Sequence, residues 1–445
     1  MKSGMKPAMA ILAVMLAVSL ALAGCSKSEE ERTQEGDGKK TSDKPVTLTL
    51  WGGYPEVDPW FLKMADEYRK DHPNVTVQIS SFPLRDYEKK VAAALPSNTA
   101  ANIITLDPYL AVRYANGDML AKAPDDLANM VLRNGIYPEE ISKRSVFNGT
   151  VYGVPYMSGK TAIYYNKKMF EEAGLKEPPK GPEQFLEYAI KTAKRDASGK
   201  LVRAGQSLRL SGGGSGVGEK FWIIMTNFGG TIVKEVSPGK YKAGYDNEAG
   251  LKTLKLYVDM VHKYKTDDPT LKHDAEAFEL EQAAFFLRES WVIDDIAKKA
   301  PNLPYDTAPL SKGNVLTSTN FYVTNTDKSV NDTAWDFIRF MMKPENHKQM
   351  VEMSGWLPAR EDLKMDDFFA KKPQFMAFFA KVENIDMYPL LPEFDEILTK
   401  FADRLATKGF TDPTFVDNEE KMKQFLAEAA KETNDILKRN GHLAE

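Results

Sequence analysis

The stretch "AIYYNKKMFEEAGL", residues 162–175, changes its hydrophobic period part-way along. Residues 162–165 are apolar or aromatic and suit a buried strand. From Lys167 the period lengthens: Met169, Phe170 and Ala173 recur at helical spacing, and Gly174 is placed to stop the helix. The same alternation opens the body of the chain. "VTLTLW" (46–51), "VTVQIS" (75–80) and "IITL" (103–106) read as strands. Phe61, Met64, Ala65 and Tyr68 form a helical stripe between the first two, and a second helix is predicted over 84–95. Strand–helix–strand order predicts an α/β fold with a mainly parallel sheet. Ligands of such sheets bind beyond the carboxyl ends of the strands, which directs attention to residues 52–56 and 107–109. Farther on helices dominate, over 182–194, 249–265, 333–342, 345–354 and an amphipathic 418–439.

The first residues follow a different pattern. Lys2 and Lys6 precede the apolar run "AMAILAVMLAVSLALAG" (8–24), which is short for a membrane-spanning helix and fits a secretory signal. It ends in Leu22-Ala23-Gly24-Cys25, which resembles a bacterial lipobox. That resemblance implies cleavage before Cys25 and a lipid on its sulfur, anchoring the protein to a membrane on the extracellular or periplasmic side. Cys25 is the only cysteine, so the exported body has no disulfide. The polar run after it offers nothing to bury and, as a coil, reaches about 25 Å. The expected organisation is a signal peptide over 1–24, a lipidated cysteine and tether over 25–45, and a globule beginning at Val46.

Charge and composition narrow the classes. A chain of 445 residues is too long for one core. Its 59 basic and 63 acidic side chains leave a net charge of −4, so the basic field of a nucleic-acid binder is missing. The five histidines are scattered with no two at metal-ligand spacing, and no cofactor is expected. "SGGGSGVGEK" (211–220) matches neither phosphate-binding glycine pattern and reads as a loop.

Several segments carry a family resemblance. "NGTVYGVPYMSGKTAIYYNKKMFEEAGL" (148–175), "FWIIMTNFGGTI" (221–232), "AFELEQAAFFLRESWVIDDI" with the following "YDTAPLSKG", and "AWDFIRFMMKPENHKQMVEMSGWLPAR" (334–360) occur in one order. Together they resemble the bacterial extracellular solute-binding proteins of ABC importers, in the sugar-binding branch that includes maltose-binding protein. The resemblance implies a two-lobed periplasmic-binding-protein-like fold (type II), closing on ligand by hinges. It implies lobes formed by 46–157 plus 315–356 and by 158–314 plus 357–445, crossing near 157–161, 309–315 and 355–360. Gly159 and Gly313 are hinge candidates or plain turn glycines. It further implies a monomer that is not an enzyme, a carbohydrate ligand and membrane permease partners.

A sugar needs aromatic platforms for its C–H faces and side chains that donate and accept for its hydroxyls. Trp291 matches the family position of a platform tryptophan, with Glu289, Ser290 and Asp294 around it; Trp222 and Trp356 are further candidates, each open to a core role. Trp335 and Trp60 read as core, and Trp51 as either. Polar candidates are Tyr54 and Glu56 after the first strand, Asp107 and Tyr109 after the third, and Ser158 and Lys160 at the first crossing. Tyr164 and Tyr165 could suggest a ferric-iron site, but a regular strand points neighbours to opposite faces, so both read as packing. A non-sugar cargo in the same trap (a glycerophosphodiester or peptide) and an exported carbohydrate-active enzyme remain open at this point.

Overall fold

The computed structural model describes residues 44–445 except 213, 270 and 273. The signal, the tether up to residue 43 and Cys25 lie outside the described residues. Residues 44–445 form one compact unit built on two large sheets, with two two-stranded sheets besides. The first has Val46–Gly52 in parallel with Val75–Ser81 on one side and Ile103–Leu106 on the other. The helix Asp58–Asp71 follows the first strand and buries Phe61, Met64 and Tyr68, together with Trp60, whose indole N–H donates to the Asn346 carbonyl.

The expectation of a mainly parallel sheet needs correction. Gly313–Val323 runs antiparallel to Ile103–Leu106 and to Val154–Gly159. The reason is topological. Val154–Gly159 carries the chain out to the second sheet and Gly313–Val323 carries it back, so neighbouring outgoing and returning segments must oppose each other. Leu357–Pro358 adds to the far side of Val154–Gly159, and Asn384–Met387 pairs in parallel with the start of Gly313–Val323.

The second sheet has Ala162–Asn166 between Tyr305–Pro309 and Ala283–Arg288, with Leu201–Ser207 parallel to the last of these. Tyr164 and Tyr165 do face opposite ways. Tyr164 is fully buried against Phe286 and Phe378 and donates to the Glu289 carbonyl, whereas Tyr165 packs on Phe170. After the strand, the helix Lys167–Glu172 is capped by the Asn166 side chain, and Gly174 takes φ +69° just beyond it.

The crossings are held by amides. Asn314 accepts from the Thr161 N–H and donates to the Thr161 carbonyl, binding the first two crossings together. Asn227 grips the Gly313 peptide in the same two-bond manner, fixing the returning strand to the helix Gly216–Thr226. Gly313 and Gly159 are glycines for want of space. A Cβ on Gly313 would lie 2.3 Å from the Thr226 carbonyl carbon, and one on Gly159 would lie 2.7 Å from Thr317 Oγ1.

Candidate ligand cleft

The carboxyl ends of the parallel strands in both sheets converge where the chain crosses between them. After Val46–Gly52 come Tyr54 and Glu56; after Ile103–Leu106 come Asp107 and Tyr109. From the second sheet, Ala283–Arg288 ends in Arg288 and leads into Glu289. The two sets meet at Gly159, whose missing Cβ position lies 3.1 Å from the Trp356 ring and 3.8 Å from the Glu289 side chain. Any bulk there would separate them.

On the first-sheet side, Trp356 stands edge-on to Tyr54 with ring centres 5.4 Å apart, and its indole N–H donates to Glu56 Oε1 at 2.8 Å. Asp107 Oδ1 accepts from the Thr319 hydroxyl at 2.6 Å. Burial raises the Asp107 carboxyl to about 7, the Thr319 bond only partly offsetting it, and burial raises Glu56 as well. On the second-sheet side, Lys220 Nζ bonds Glu289 Oε1 at 2.5 Å, and Arg288 lies 3.4 Å from the other Glu289 oxygen and 3.1 Å from Asp274. Burial pushes Glu289 up, but Lys220 and Arg288 outweigh it and hold the carboxyl well below its usual range.

The structure thus brings Tyr54, Glu56, Asp107 and Trp356 into one wall. Trp291, half-buried, joins it from the other side: the Gly355 Cβ position is 3.1 Å from its Cα, and the Arg288 guanidinium lies 5.3 Å from its ring. Tyr109 is buried and stacks on Tyr388 at 4.8 Å. Ser158 is buried with its hydroxyl donated to the Pro358 carbonyl, so it serves the crossing. Lys160 is half-buried, and burial lowers its amine. Trp222 does not offer a face to ligand. It is 1% exposed, closed in by Tyr388 and Phe394, and its N–H is taken by Asp386 at 2.8 Å. Its place in the first turns of a helix buried on nearly every side makes it core.

Lys220, Arg288, Thr319 and Tyr388 were not anticipated. Lys220 sits in the stretch read as a loop, but the helix begins at Gly216, and that helical turn aims it at Glu289. Among the described residues no group of three or more His, Cys, Asp or Glu side chains could hold a metal ion, and no helix is long and apolar enough to cross a membrane.

One consequence for stability is testable in the ligand-free protein. A carboxyl raised in the fold contributes stability at low pH that is lost as pH rises through its folded value, here about 7. Asp107→Asn, which keeps an oxygen for Thr319, is therefore expected to raise the melting temperature at pH 8 and to change it little at pH 4. An equal effect at both would show that burial of the charge is not the cause.

The sequence profile of the family described as bacterial extracellular solute-binding protein matches residues 63–377, well over half the chain. The chain belongs to that family. This solute-binding protein is 22% identical to the galactooligosaccharide-binding protein of Bacillus subtilis, over 95% of each chain. Its fold matches an ABC transporter solute-binding protein from Thermotoga lettingae bound with alpha-D-tagatose, with a TM-score of 0.73, 20% identity and coverage of 88% of this chain and 99% of that one. It also matches UgpB of Mycobacterium tuberculosis in complex with glycerophosphocholine, with a TM-score of 0.69, 18% identity and coverage of 86% and 98%. The solute-binding protein therefore has the two-lobed α/β fold of its neighbours, and its relatives include proteins named for binding diacetylchitobiose, galactooligosaccharide and melibiose, raffinose or stachyose.

Proposed function

We propose that this solute-binding protein captures a carbohydrate, an oligosaccharide, between its lobes and delivers it to the transmembrane subunits of an ABC importer. The observation that carries the reading is the wall of Trp356, Tyr54, Glu56 and Asp107 at the strand ends, with Trp291 across from it. Aromatic faces suit the C–H surfaces of a pyranose, and carboxylates held by neutral donors keep acceptor capacity for its hydroxyls. The lobes are 46–157 plus 315–356 and 158–314 plus 357–445. The protein acts as a monomer tethered through lipid on Cys25, facing outward from the membrane. A second reading, a glycerophosphodiester in the same cleft, is favoured by the likeness to the glycerophosphocholine complex.

Thermal melting against a panel of sugars and glycerophosphodiesters separates the two. A micromolar ligand at millimolar concentration adds about 4 kcal/mol to the folded state. A shift with an oligosaccharide that stays chemically intact supports the receptor; its cleavage would make the protein an enzyme, and a shift with phosphodiesters alone would favour the second reading. Trp291→Ala is expected to weaken binding of the identified ligand at least tenfold, about 1.4 kcal/mol, with little change in melting temperature because the side chain is only half-buried. Unchanged affinity in calorimetry would remove Trp291 from the site.

A further inference from the structure

The glycine-rich stretch before the helix Gly216–Thr226 packs around two guanidinium groups that arrive from different sheets. Arg85 stands on the helix Leu84–Ala94, which follows the first-sheet strand Val75–Ser81, and Arg209 comes just after the second-sheet strand Leu201–Ser207. A Cβ on Gly214 would lie 3.2 Å from Arg85 Cδ and Nε, and one on Gly216 would lie 2.6 Å from Arg209 Cζ. Glycine at these positions lets both guanidiniums reach the start of the helix. That start is already electropositive, because first-turn N–H groups have no partner within a helix. Two cations at a helix N-terminus repel it unless an anion sits with them.

A second observation marks the same spot. Ser215, between the two glycines, is 1% exposed and does not cap the helix, and its buried hydroxyl has no hydrogen-bond partner. A buried hydroxyl left empty is uncommon and calls for a missing polar atom. The arginines are under-used as well. Arg209 makes no hydrogen bond among the described residues, and its nearest carboxylate oxygen, on Asp274, is 3.9 Å away. Arg85 holds both oxygens of Glu88 through Nη1 alone, leaving Nε and Nη2 without an acceptor.

Gly214, Ser215 and Arg85 line a cavity of about 530 Å³, inside the range of small-molecule sites. Its wall sets Arg85, Lys89 and Arg113 against Glu88 and Asp395, an excess of one positive charge. Farther in, Lys220 and Arg288 match Glu289 and Asp274, which leaves Arg209 against Glu219, the acid of the helix's first turn. One negative charge balances the group.

We propose that the solute bound here carries a singly charged oxyanion, seated at the N-terminus of the helix Gly216–Thr226 between Arg85 and Arg209, with the Ser215 hydroxyl donating to it. The inference rests on the carbohydrate reading above and specifies its class: an acidic sugar whose uronate carboxylate fills this position. Each guanidinium offers a carboxylate charge-assisted hydrogen bonds. A phosphodiester presents the same chemistry, and the test separates the two.

Dissociation constants are measured by calorimetry on the purified protein at neutral pH. The probes are pairs that differ only in the charged group, di- and trigalacturonate with their methyl esters and cellobiouronic acid with cellobiose, together with glycerophosphocholine. An acidic sugar is expected to bind at least tenfold more tightly than its neutral partner. Arg209→Gln and Ser215→Ala are each expected to remove most of that preference while the melting temperature of the ligand-free protein holds. A neutral partner that binds as tightly as the acid, or a preference that survives both substitutions, overturns the inference and leaves a carbohydrate receptor. Binding of glycerophosphocholine with no response to any sugar overturns the carbohydrate reading, and the anion position then stands only if Arg209→Gln weakens that binding tenfold. No response to any of these probes overturns the inference.

Discussion

Trp222→Ala is expected to destabilise the protein by about 3–5 kcal/mol, the range for emptying a buried tryptophan site. The side chain is packed by Tyr388 at 5.0 Å and Phe394 at 5.6 Å, so its removal opens a void that two fixed rings cannot fill by small shifts. It also strands Asp386, whose Oδ2 accepts the indole N–H and which lies on the short strand beside the returning crossing. Urea unfolding of the ligand-free protein measures the effect. A variant that keeps the parental midpoint but loses ligand would return Trp222 to the cleft as a platform.

Removing one half of the Lys220–Glu289 pair should cost a similar amount. The side chains are 6% and 12% exposed, so Lys220→Met leaves Glu289 with the Thr161 hydroxyl and one cation, Arg288, which it shares with Asp274. Breaking a buried pair from one side costs about 3–5 kcal/mol, whereas replacing both partners by apolar groups is often close to neutral. Lys220→Met/Glu289→Leu is therefore expected to recover most of the loss. Additive losses in the double variant would show that the pair does not act as a unit. The pH dependence has a defined sign. Glu289 is held below its ordinary 4.5, so the stability it contributes is present above that pH and declines as acid is added below it. Lys220→Met should flatten that decline.

The two predictions mark how far the sequence can be read. Strands such as Val46–Gly52 and Val75–Ser81 were visible because β-branched runs bounded by turns have few alternatives. Element ends were less so. The helix Lys328–Met341 starts five residues before the apolar pattern does, because its first turn is polar and is set by the Asp327 cap on the Ser329 N–H. The helix expected over 249–265 turns into a π-helical stretch at Asp259–Lys263, a segment of five residues, too short for its period to stand out in the sequence. In the cleft, Tyr54, Glu56 and Asp107 could be picked out from the strand-end rule alone. Lys220 meeting Glu289, or Tyr109 meeting Tyr388, joins residues far apart in the chain, and nothing local in either segment encodes the partner.

The returning strand Gly313–Val323 sits in the middle of the first sheet, between Ile103–Leu106 and Val154–Gly159. As the chain leaves the ribosome, the strands on either side of that gap are made more than 150 residues before the one that fills it. Until then two interior edges of the sheet stand open, each with a row of free N–H and carbonyl groups able to pair with another chain. The first-made lobe is therefore the one that must wait for the second. A chain that stops before residue 313 lacks the strand that joins these two edges, and they are left open to pairing with another chain.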